Sequence, residues 1–304
     1  MARSKQMLSV SRMLAICVLL ATVTVAGAQG AVARPNALPG LLWGDDPGQD
    51  AQPPPLMPGT TLRFDRYGLE QGLSESVAKT IAQDSQGFVW IGTEDGLNRF
   101  DGYEFRVYRQ DPADPDSLSN NNITALAADR SGDLWVGTYG GGLEHYEHKT
   151  GDFIHYRHDP KNPNSLSDDQ VLAVIVDRWG LVWVGTRGGG LNRFEPRNGR
   201  WYHYQHDPED PHSLSYDYVN ALFEDQSGAI WVGTSTGLDL LDRNSGRFTR
   251  YRKNVGDPNS LSSPAVATIY QDRAGTIWIG TVDGGLNRFD QQTETFVHYR
   301  HDPE

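Results

Sequence analysis

Short stretches of β-branched and aromatic residues, separated by turn-forming residues, recur from about residue 60 to the end of the chain. In one unit the four stretches are VLAVIVD (171–177), LVWVGT (181–186), GLNRFEP (190–196) and RWYHYQ (200–205). Residues of this type favour strands, and the Gly, Asp, Asn and Pro that flank them favour turns. Because no unit shows a helical period, the pattern predicts four short strands per unit and an all-β fold.

A tryptophan in the second stretch marks the period of the repeat. It lies in the motif W-x-G-T at Trp90, Trp135, Trp183, Trp231 and Trp278, with spacings of 45, 48, 48 and 47 residues. Such a period, combined with four strands per unit, is typical of β-propeller blades. The sequence therefore predicts a β-propeller over residues 60–304 with five complete four-stranded blades.

The uniformity of the motif bears on its role. Five equivalent tryptophans cannot all face one central ligand, so we expect each to be a structural residue wedged between neighbouring blades rather than an aromatic ligand platform. Each tryptophan also follows an Asp-x-x-Gly turn, as at 129–132. There the aspartate can bond to the turn backbone and the glycine can take a positive φ.

The segments before the repeat have a different composition. Residues 1–28 combine early basic residues with an apolar run, Met13 to Ala26, and then small residues, which predicts a secretory signal peptide and a periplasmic or other extracytoplasmic location. The alternative is an uncleaved anchor, but the run is short for a span of about 20 residues. Residues 29–59 contain seven prolines and are expected to be a stiff linker.

Charge and cysteine content narrow the function. The chain has 27 basic and 39 acidic residues, which argues against nucleic acid or an anionic membrane surface as partners. The only cysteine, Cys17, lies in the predicted signal peptide. We therefore expect no disulfide, no thiolate metal site and no cofactor. The histidine pairs in HYRH (155–158) and HYQH (203–206) repeat from blade to blade without further ligands, so no metal site is expected there either.

These segments resemble the two-component regulator propeller repeats of extracytoplasmic bacterial sensors. The shared motifs are D-x-x-G-x-[IVL]-W-[IV]-G-T, G-[GL]-L-N-R-[FY]-[DE], F-x-x-Y and P-x-S-L-S, and residues 62–105 resemble the first unit of such sensors. The resemblance implies a normally seven-bladed ring, then a membrane helix and a cytoplasmic histidine kinase or diguanylate cyclase. The chain is accordingly expected to be an N-terminal fragment with an incomplete ring. In it LRFDRY (62–67) would be an outer strand of the last blade.

The resemblance further implies a sensor that is not itself an enzyme. A small molecule or oligosaccharide would be its ligand, and the full-length receptor, anchored by a downstream helix, would form a homodimer. One alternative is a secreted carbohydrate-active or sialidase-like enzyme, because the Asp-x-x-Gly turns are similar to sialidase aspartate boxes. The sequence shows no arginine cluster with an acid/base pair, which a sialidase would need. The second alternative is a plain interaction scaffold.

The turns between the second and third strands are where the repeat varies. An asymmetric ligand at the central funnel needs a ring of dissimilar groups, whereas scaffold positions are uniform. The candidate ligand-binding residues are Glu94, Asp95, Tyr139, Arg187, Thr236 and Asp283, and the crossover residues Asn121, Asp169, Asp217 and Ser263 are possible additions. The simpler alternative is that these residues belong to solvated turns.

Overall fold

The computed structural model describes residues 64–302, so the predicted signal peptide and linker lie outside the described residues. A single 3₁₀ turn, Leu69–Gln71, precedes the first blade. Blade 1 comprises β1 (Thr80–Gln83), β2 (Val89–Thr93), β3 (Gly96–Phe100) and β4 (Phe105–Tyr108). Blade 2 comprises β5 (Ile123–Ala128), β6 (Leu134–Thr138), β7 (Leu143–Tyr146) and β8 (Phe153–Tyr156).

The remaining blades follow the same plan. Blade 3 comprises β9 (Val171–Val176), β10 (Val182–Thr186), β11 (Leu191–Glu195) and β12 (Arg200–Tyr204). Blade 4 comprises β13 (Val219–Glu224), β14 (Ile230–Thr234), β15 (Leu238–Asp242) and β16 (Arg247–Tyr251). Blade 5 comprises β17 (Val266–Gln271), β18 (Ile277–Thr281), β19 (Leu286–Asp290) and β20 (Thr295–Tyr299). Each blade is an antiparallel sheet whose strands pair in chain order, which confirms the predicted five four-stranded blades.

The repeated tryptophans lie between neighbouring blades. Trp90, Trp135, Trp183 and Trp231 are only 1–2% exposed. Trp90, for example, packs with Ile123 and Leu134 of blade 2, and its ring lies 5.0 Å from that of Tyr146. The core of the protein is therefore a series of interblade clusters rather than one central cluster.

The glycine of W-x-G-T lies inside its strand, where the next blade comes closest. A β-carbon on Gly137 would sit 2.6 Å from Val171 of blade 3, and one on Gly185 would sit 2.5 Å from Val219 of blade 4. Because no real β-carbon fits at those distances, the glycine is required by interblade packing.

The Asp-x-x-Gly turn secures the tryptophan as well as the backbone. In blade 1, Asp84 Oδ1 accepts the backbone N–H groups of Gln86 and Phe88 at 2.9 and 3.0 Å, and Oδ2 accepts the indole N–H of Trp90 at 2.7 Å. Gly87 closes the turn with a φ of +91°. The predicted bonds from the aspartate to the turn backbone are present. The same aspartate also accepts the indole N–H, which would otherwise be a buried donor without a partner.

The five blades form an open arc. The inner strands contact each other in the order β1, β5, β9, β13 and β17, and no closed ring forms within residues 64–302. The exposed side of blade 5 is apolar, with Thr268, Tyr270, Trp278, Gly280 and Leu286 lining a cavity of about 360 Å³. We call this surface the open face of blade 5, and there Trp278 is only partly buried.

The segment before blade 1 resembles an outer strand in its packing but not in its secondary structure. Phe64 forms a bridge and residues 65–68 form no strand. The Tyr67 ring nevertheless lies 5.0 Å from that of Phe100 in blade 1, just as the closing Tyr251 of blade 4 lies 5.0 Å from Phe289 in blade 5. Tyr67 thus takes the place of the last tyrosine of a preceding blade.

Candidate functional site

The residues that follow W-x-G-T lie where inner strands begin, and we call this band of residues the rim. The backbone N–H of Tyr139, Arg187, Ser235 and Val282 donates to a carbonyl at the start of the inner strand of the same blade, at 2.9–3.2 Å. The acceptors are Asn122, Gln170, Tyr218 and Ala265. Backbone pairing therefore fixes the turn, and the side chains at these positions are left to vary.

Arg187 lies at the centre of the most developed part of the rim. Its Nη1 donates to the Tyr139 hydroxyl of blade 2 and, at 2.9 Å, to Gln170 Oε1. Its guanidinium carbon lies 5.6 Å from the Tyr139 ring centre and 5.9 Å from that of Tyr218 in blade 4. Three blades thus contribute to one cluster of a cation and two aromatic rings, a geometry in which the cation is attracted by the ring faces.

The same cluster is open to solvent and lacks an internal counter-ion. Arg187 and Tyr139 are both exposed. Within residues 64–302, no carboxylate forms an ion pair with Arg187. An exposed guanidinium that is oriented by neutral groups keeps its charge and its remaining donors for an external anion.

Glu94 belongs to a second rim cluster, between blades 1 and 2. Its Oε1 lies 2.7 Å from Nζ of Lys79, and Lys79 also donates to Asn122 Oδ1 at 2.9 Å. Glu75 Oε2 accepts the backbone N–H of Glu94 at 3.0 Å. Because the Asn122 carbonyl bonds to Tyr139, this cluster adjoins the Arg187 cluster along the rim.

The structure does not bring the other three candidate residues to these clusters. Asp95 pairs with Arg109 at 2.8 Å, and both side chains are about half exposed. The backbone N–H of Thr236 donates to Thr234 Oγ1 at 3.2 Å within the turn, and its hydroxyl donates to the Ser215 carbonyl of the crossover at 3.4 Å. Asp283 accepts a hydrogen bond from Ser263, so these two candidates do meet each other, in blade 5.

The other crossover candidates have structural contacts. The side chains of Asn121, Asp169 and Asp217 each accept a backbone N–H from the crossover before them, at 2.7 Å. The histidines of the two H-Y-x-H motifs bond to crossover carbonyls, as His158 Nδ1 does to Leu166 and His203 Nε2 to Ser165, both at 2.8 Å. These side chains connect the outer strands to the interblade connections.

The structure adds four residues to the rim that the sequence interpretation did not select. They are Lys79, Asn122, Gln170 and Tyr218. Three of them could have been found from the sequence. Asn122, Gln170 and Tyr218 occupy the same position of the repeat, which varies from blade to blade although the position after it is always apolar. Lys79 occupies a different repeat position, so its place beside Glu94 requires the three-dimensional structure.

Helices are almost absent from residues 64–302, and none is long and apolar enough to cross a membrane. The pattern of the two-component regulator propeller family matches residues 72–95, 117–140, 213–236 and 260–283. Each matched segment begins at a crossover and ends in the turn that follows W-x-G-T, so the matches coincide with the blade plan described above.

Similar proteins come from signalling systems and from other propellers. Histidine kinase P4 of Formosa agariphila is 52% identical over 48 residues, which are 16% of this chain and 4% of that protein. The extracellular domain of BT3049 from B. thetaiotaomicron, assigned to a hybrid two component system, is 30% identical with a TM-score of 0.68, over 77% of this chain and 31% of that one.

Virginiamycin B lyase from Staphylococcus aureus shares the fold alone, at 14% identity and a TM-score of 0.58 over 81% of this chain and 75% of that one. The chain spans well under two thirds of either signalling relative. The matched repeats, the blade plan and the similarity to the extracellular domain of BT3049 agree with one another. The four matched segments are therefore two-component regulator propeller repeats, as the sequence predicted.

Proposed function

We propose that this chain is the ligand-recognising region of an extracytoplasmic sensor in a bacterial two-component receptor. Its matched repeats and its similarity to the extracellular domain of BT3049 support the sensor assignment. The apolar run before the repeat supports export to the periplasm by a signal peptide. Recognition is the role of this region, and a histidine kinase or diguanylate cyclase on the other side of the membrane supplies the enzymatic output.

The Arg187 cluster is the observation that supports ligand recognition. A guanidinium between the rings of Tyr139 and Tyr218 presents both a flat apolar surface and charged donors. Aromatic faces pack against sugar rings, and an arginine fork matches a carboxylate or sulfate. The ligand we assign to the rim is therefore an oligosaccharide that carries an acidic group. Its binding would bias a receptor homodimer between signalling states.

Binding measurements on the full chain test the ligand class. Isothermal titration calorimetry would compare oligosaccharides that contain uronic acid with neutral ones of the same length. Wild type is expected to bind the acidic set. Arg187→Ala is expected to weaken that binding by roughly tenfold or more, since truncation of a charge-assisted contact costs about 1.5–3 kcal/mol. Arg200→Ala, at an exposed outer-strand position, is the matched control and should bind as wild type does.

Two results would contradict the proposal. Equal affinity for neutral and acidic oligosaccharides would reject the acidic ligand class. Release of shortened sugars during the incubation would favour the alternative of a carbohydrate-active enzyme. The two-component assignment is tested separately by the downstream reading frame, where we expect a membrane helix followed by a kinase or cyclase module.

A further inference from the structure

The Asp-x-x-Gly turn of blade 2 departs from the other four. In blades 1, 3, 4 and 5 the turn aspartate accepts the indole N–H of the blade tryptophan at 2.7–2.8 Å. In the described part of the chain, blade 2 has no such bond between Asp129 and Trp135. The carboxylate instead faces His145, with Asp129 Oδ2 at 4.0 Å from His145 Nε2.

Three residues in this region of blade 2 differ in type from their counterparts. Asp133 occupies the position of Phe88, Leu181, Ala229 and Thr276 in the other blades. His145 pairs with Trp135 in register where Arg99, Arg193, Leu240 and Arg288 pair with their tryptophans. His148 occupies the position of Gly102, Pro196, Arg243 and Gln291. Blade 2 therefore gathers ligand-type side chains at positions where the other blades carry none of them.

The geometry brings three ligand atoms together. The nearest oxygens of Asp129 and Asp133 and the Nε2 of His145 all lie within 4.8 Å of one another, and Asp133 Oδ2 is 3.7 Å from Nε2. That nitrogen is buried and has no hydrogen-bond partner. The three side chains are 15–18% exposed, so the cluster adjoins solvent.

The surroundings orient these ligands. The His145 ring stacks on Trp135 with centroids 4.3 Å apart and planes at 22°. The ring nitrogen Nδ1 of His148 is 2.6 Å from Asp133 Oδ1, and the backbone N–H of His148 donates to the same oxygen at 2.9 Å. Asp129 Oδ1 accepts the backbone N–H of Asp133 at 3.0 Å, which leaves Oδ2 directed at the cluster. Carboxylates that bind metal ions are themselves usually hydrogen-bonded by neighbouring residues, as Asp133 is here by His148.

We propose that Asp129, Asp133 and His145 form a binding site for Zn²⁺, with solvent as the fourth ligand. One imidazole nitrogen and two carboxylate oxygens suit this ion, and the two negative charges balance its own. Tetrahedral Zn²⁺ bonds of about 2.0–2.2 Å place ligand atoms about 3.4 Å apart. The separations of 3.7 and 4.0 Å from Nε2 therefore need to shorten by about 0.3 and 0.6 Å. The two carboxylate oxygens, which lie within 4.8 Å of each other, must approach to the same distance.

Zinc titration of the full, EDTA-treated and dialysed chain tests the site. Calorimetry with ZnCl₂ should show one binding site with a dissociation constant of about 10 μM or tighter, and the melting temperature should rise with added Zn²⁺. His145→Arg and Asp133→Ala should each weaken binding at least tenfold. Both changes install residues that other blades carry at those positions, so each blade should still fold, which circular dichroism would verify.

A histidine on the next blade provides the matched control. His203→Arg copies Arg250 of blade 4, whose side chain bonds to the equivalent crossover carbonyl. This variant should bind Zn²⁺ as wild type does. The proposal is overturned if wild type shows no binding at about 100 μM Zn²⁺. It is also overturned if His145→Arg and Asp133→Ala both bind as tightly as wild type, since surface histidines then account for the heat.

Discussion

Asp239 Oδ2 accepts the backbone N–H of Ser215 at 2.8 Å, while the other oxygen of the same carboxylate, Oδ1, is buried without a hydrogen-bond partner. Blades 1, 3 and 5 carry asparagine at this position, and its Nδ2 donates to a backbone carbonyl at 3.2–3.4 Å. The equivalent carbonyl in blade 4 belongs to Val232. In blade 4 the carboxylate of Asp239 therefore faces a carbonyl oxygen, and neither group can donate a hydrogen bond. Burial raises the pKa of Asp239 to about 6 despite the hydrogen bonds from Ser215.

Asp239→Asn is expected to stabilise the protein at neutral pH. The carboxyl binds its proton more tightly in the folded state (pKa about 6) than in the unfolded state (about 3.9), so its ionisation costs stability. The difference in stability between the variant and the wild type should therefore grow as pH rises from about 4 through 6. The expected gain is about 3 kcal/mol at pH 8 and little at about pH 4, measured by urea unfolding.

The reverse exchange is the control for that prediction. Asn192→Asp places a carboxylate at the same position in blade 3 and should lower stability at about pH 8 more than at about pH 4. A stability loss in Asp239→Asn at about pH 8 would show that the carboxylate has a partner that compensates for its burial.

Trp231→Ala and Trp278→Ala should lower the free energy of unfolding by different amounts, although both tryptophans belong to the same W-x-G-T motif. Both indoles donate to their turn aspartate at 2.8 Å, but Trp231 is enclosed by blade 5 and Trp278 lies on the open face. We expect a loss of about 3–5 kcal/mol for Trp231→Ala and less than about 2 for Trp278→Ala. Thermal and urea unfolding would measure both, and equal losses would mean that the open face is covered in solution.

The sequence was sufficient for the blade plan because interblade packing imposes the same residues five times. The residue types of Trp90 and Gly92 recur at fixed spacing because each blade packs against its neighbour in the same way. The packing role of this glycine, however, could not be predicted. The close approach of Val171 to Gly137 is a contact between blades, and strand periodicity contains no information about the distance between blades.

The site was only partly predictable for a related reason. Variation singled out Tyr139 and Arg187, but their contact joins two blades and depends on how the blades are angled. Glu94 and Asp95 are adjacent in one turn, yet one faces Lys79 at the rim and the other faces Arg109 at the crossover. Sequence variation locates a turn, whereas the direction of each side chain follows from the local backbone.

Tyr67→Ala is expected to destabilise blade 1. Its ring lies 5.0 Å from Phe100 and 6.2 Å from Phe105, in edge-to-face arrangements. Loss of these contacts should cost about 1–2 kcal/mol in urea unfolding. Tyr103→Ala, at a tyrosine of the same blade that is 76% exposed, should change stability by less than about 0.5 kcal/mol. If the two variants lower the free energy of unfolding equally, the segment around Tyr67 does not pack as an outer strand would.

Arg187→Ala and Tyr139→Ala should leave the unfolding free energy within about 0.5 kcal/mol of wild type, because both side chains are exposed on the rim. Arg243→Ala provides the contrast. Its guanidinium pairs with the buried Asp177 at 2.7 Å and lies 4.4 Å from the Trp179 ring centre. Removing it leaves a buried carboxylate without its cation, at an expected cost of about 3 kcal/mol. Urea unfolding of the three variants would test the distinction. A large loss for Arg187→Ala would assign the rim cluster to the scaffold and remove the support for its role in recognition.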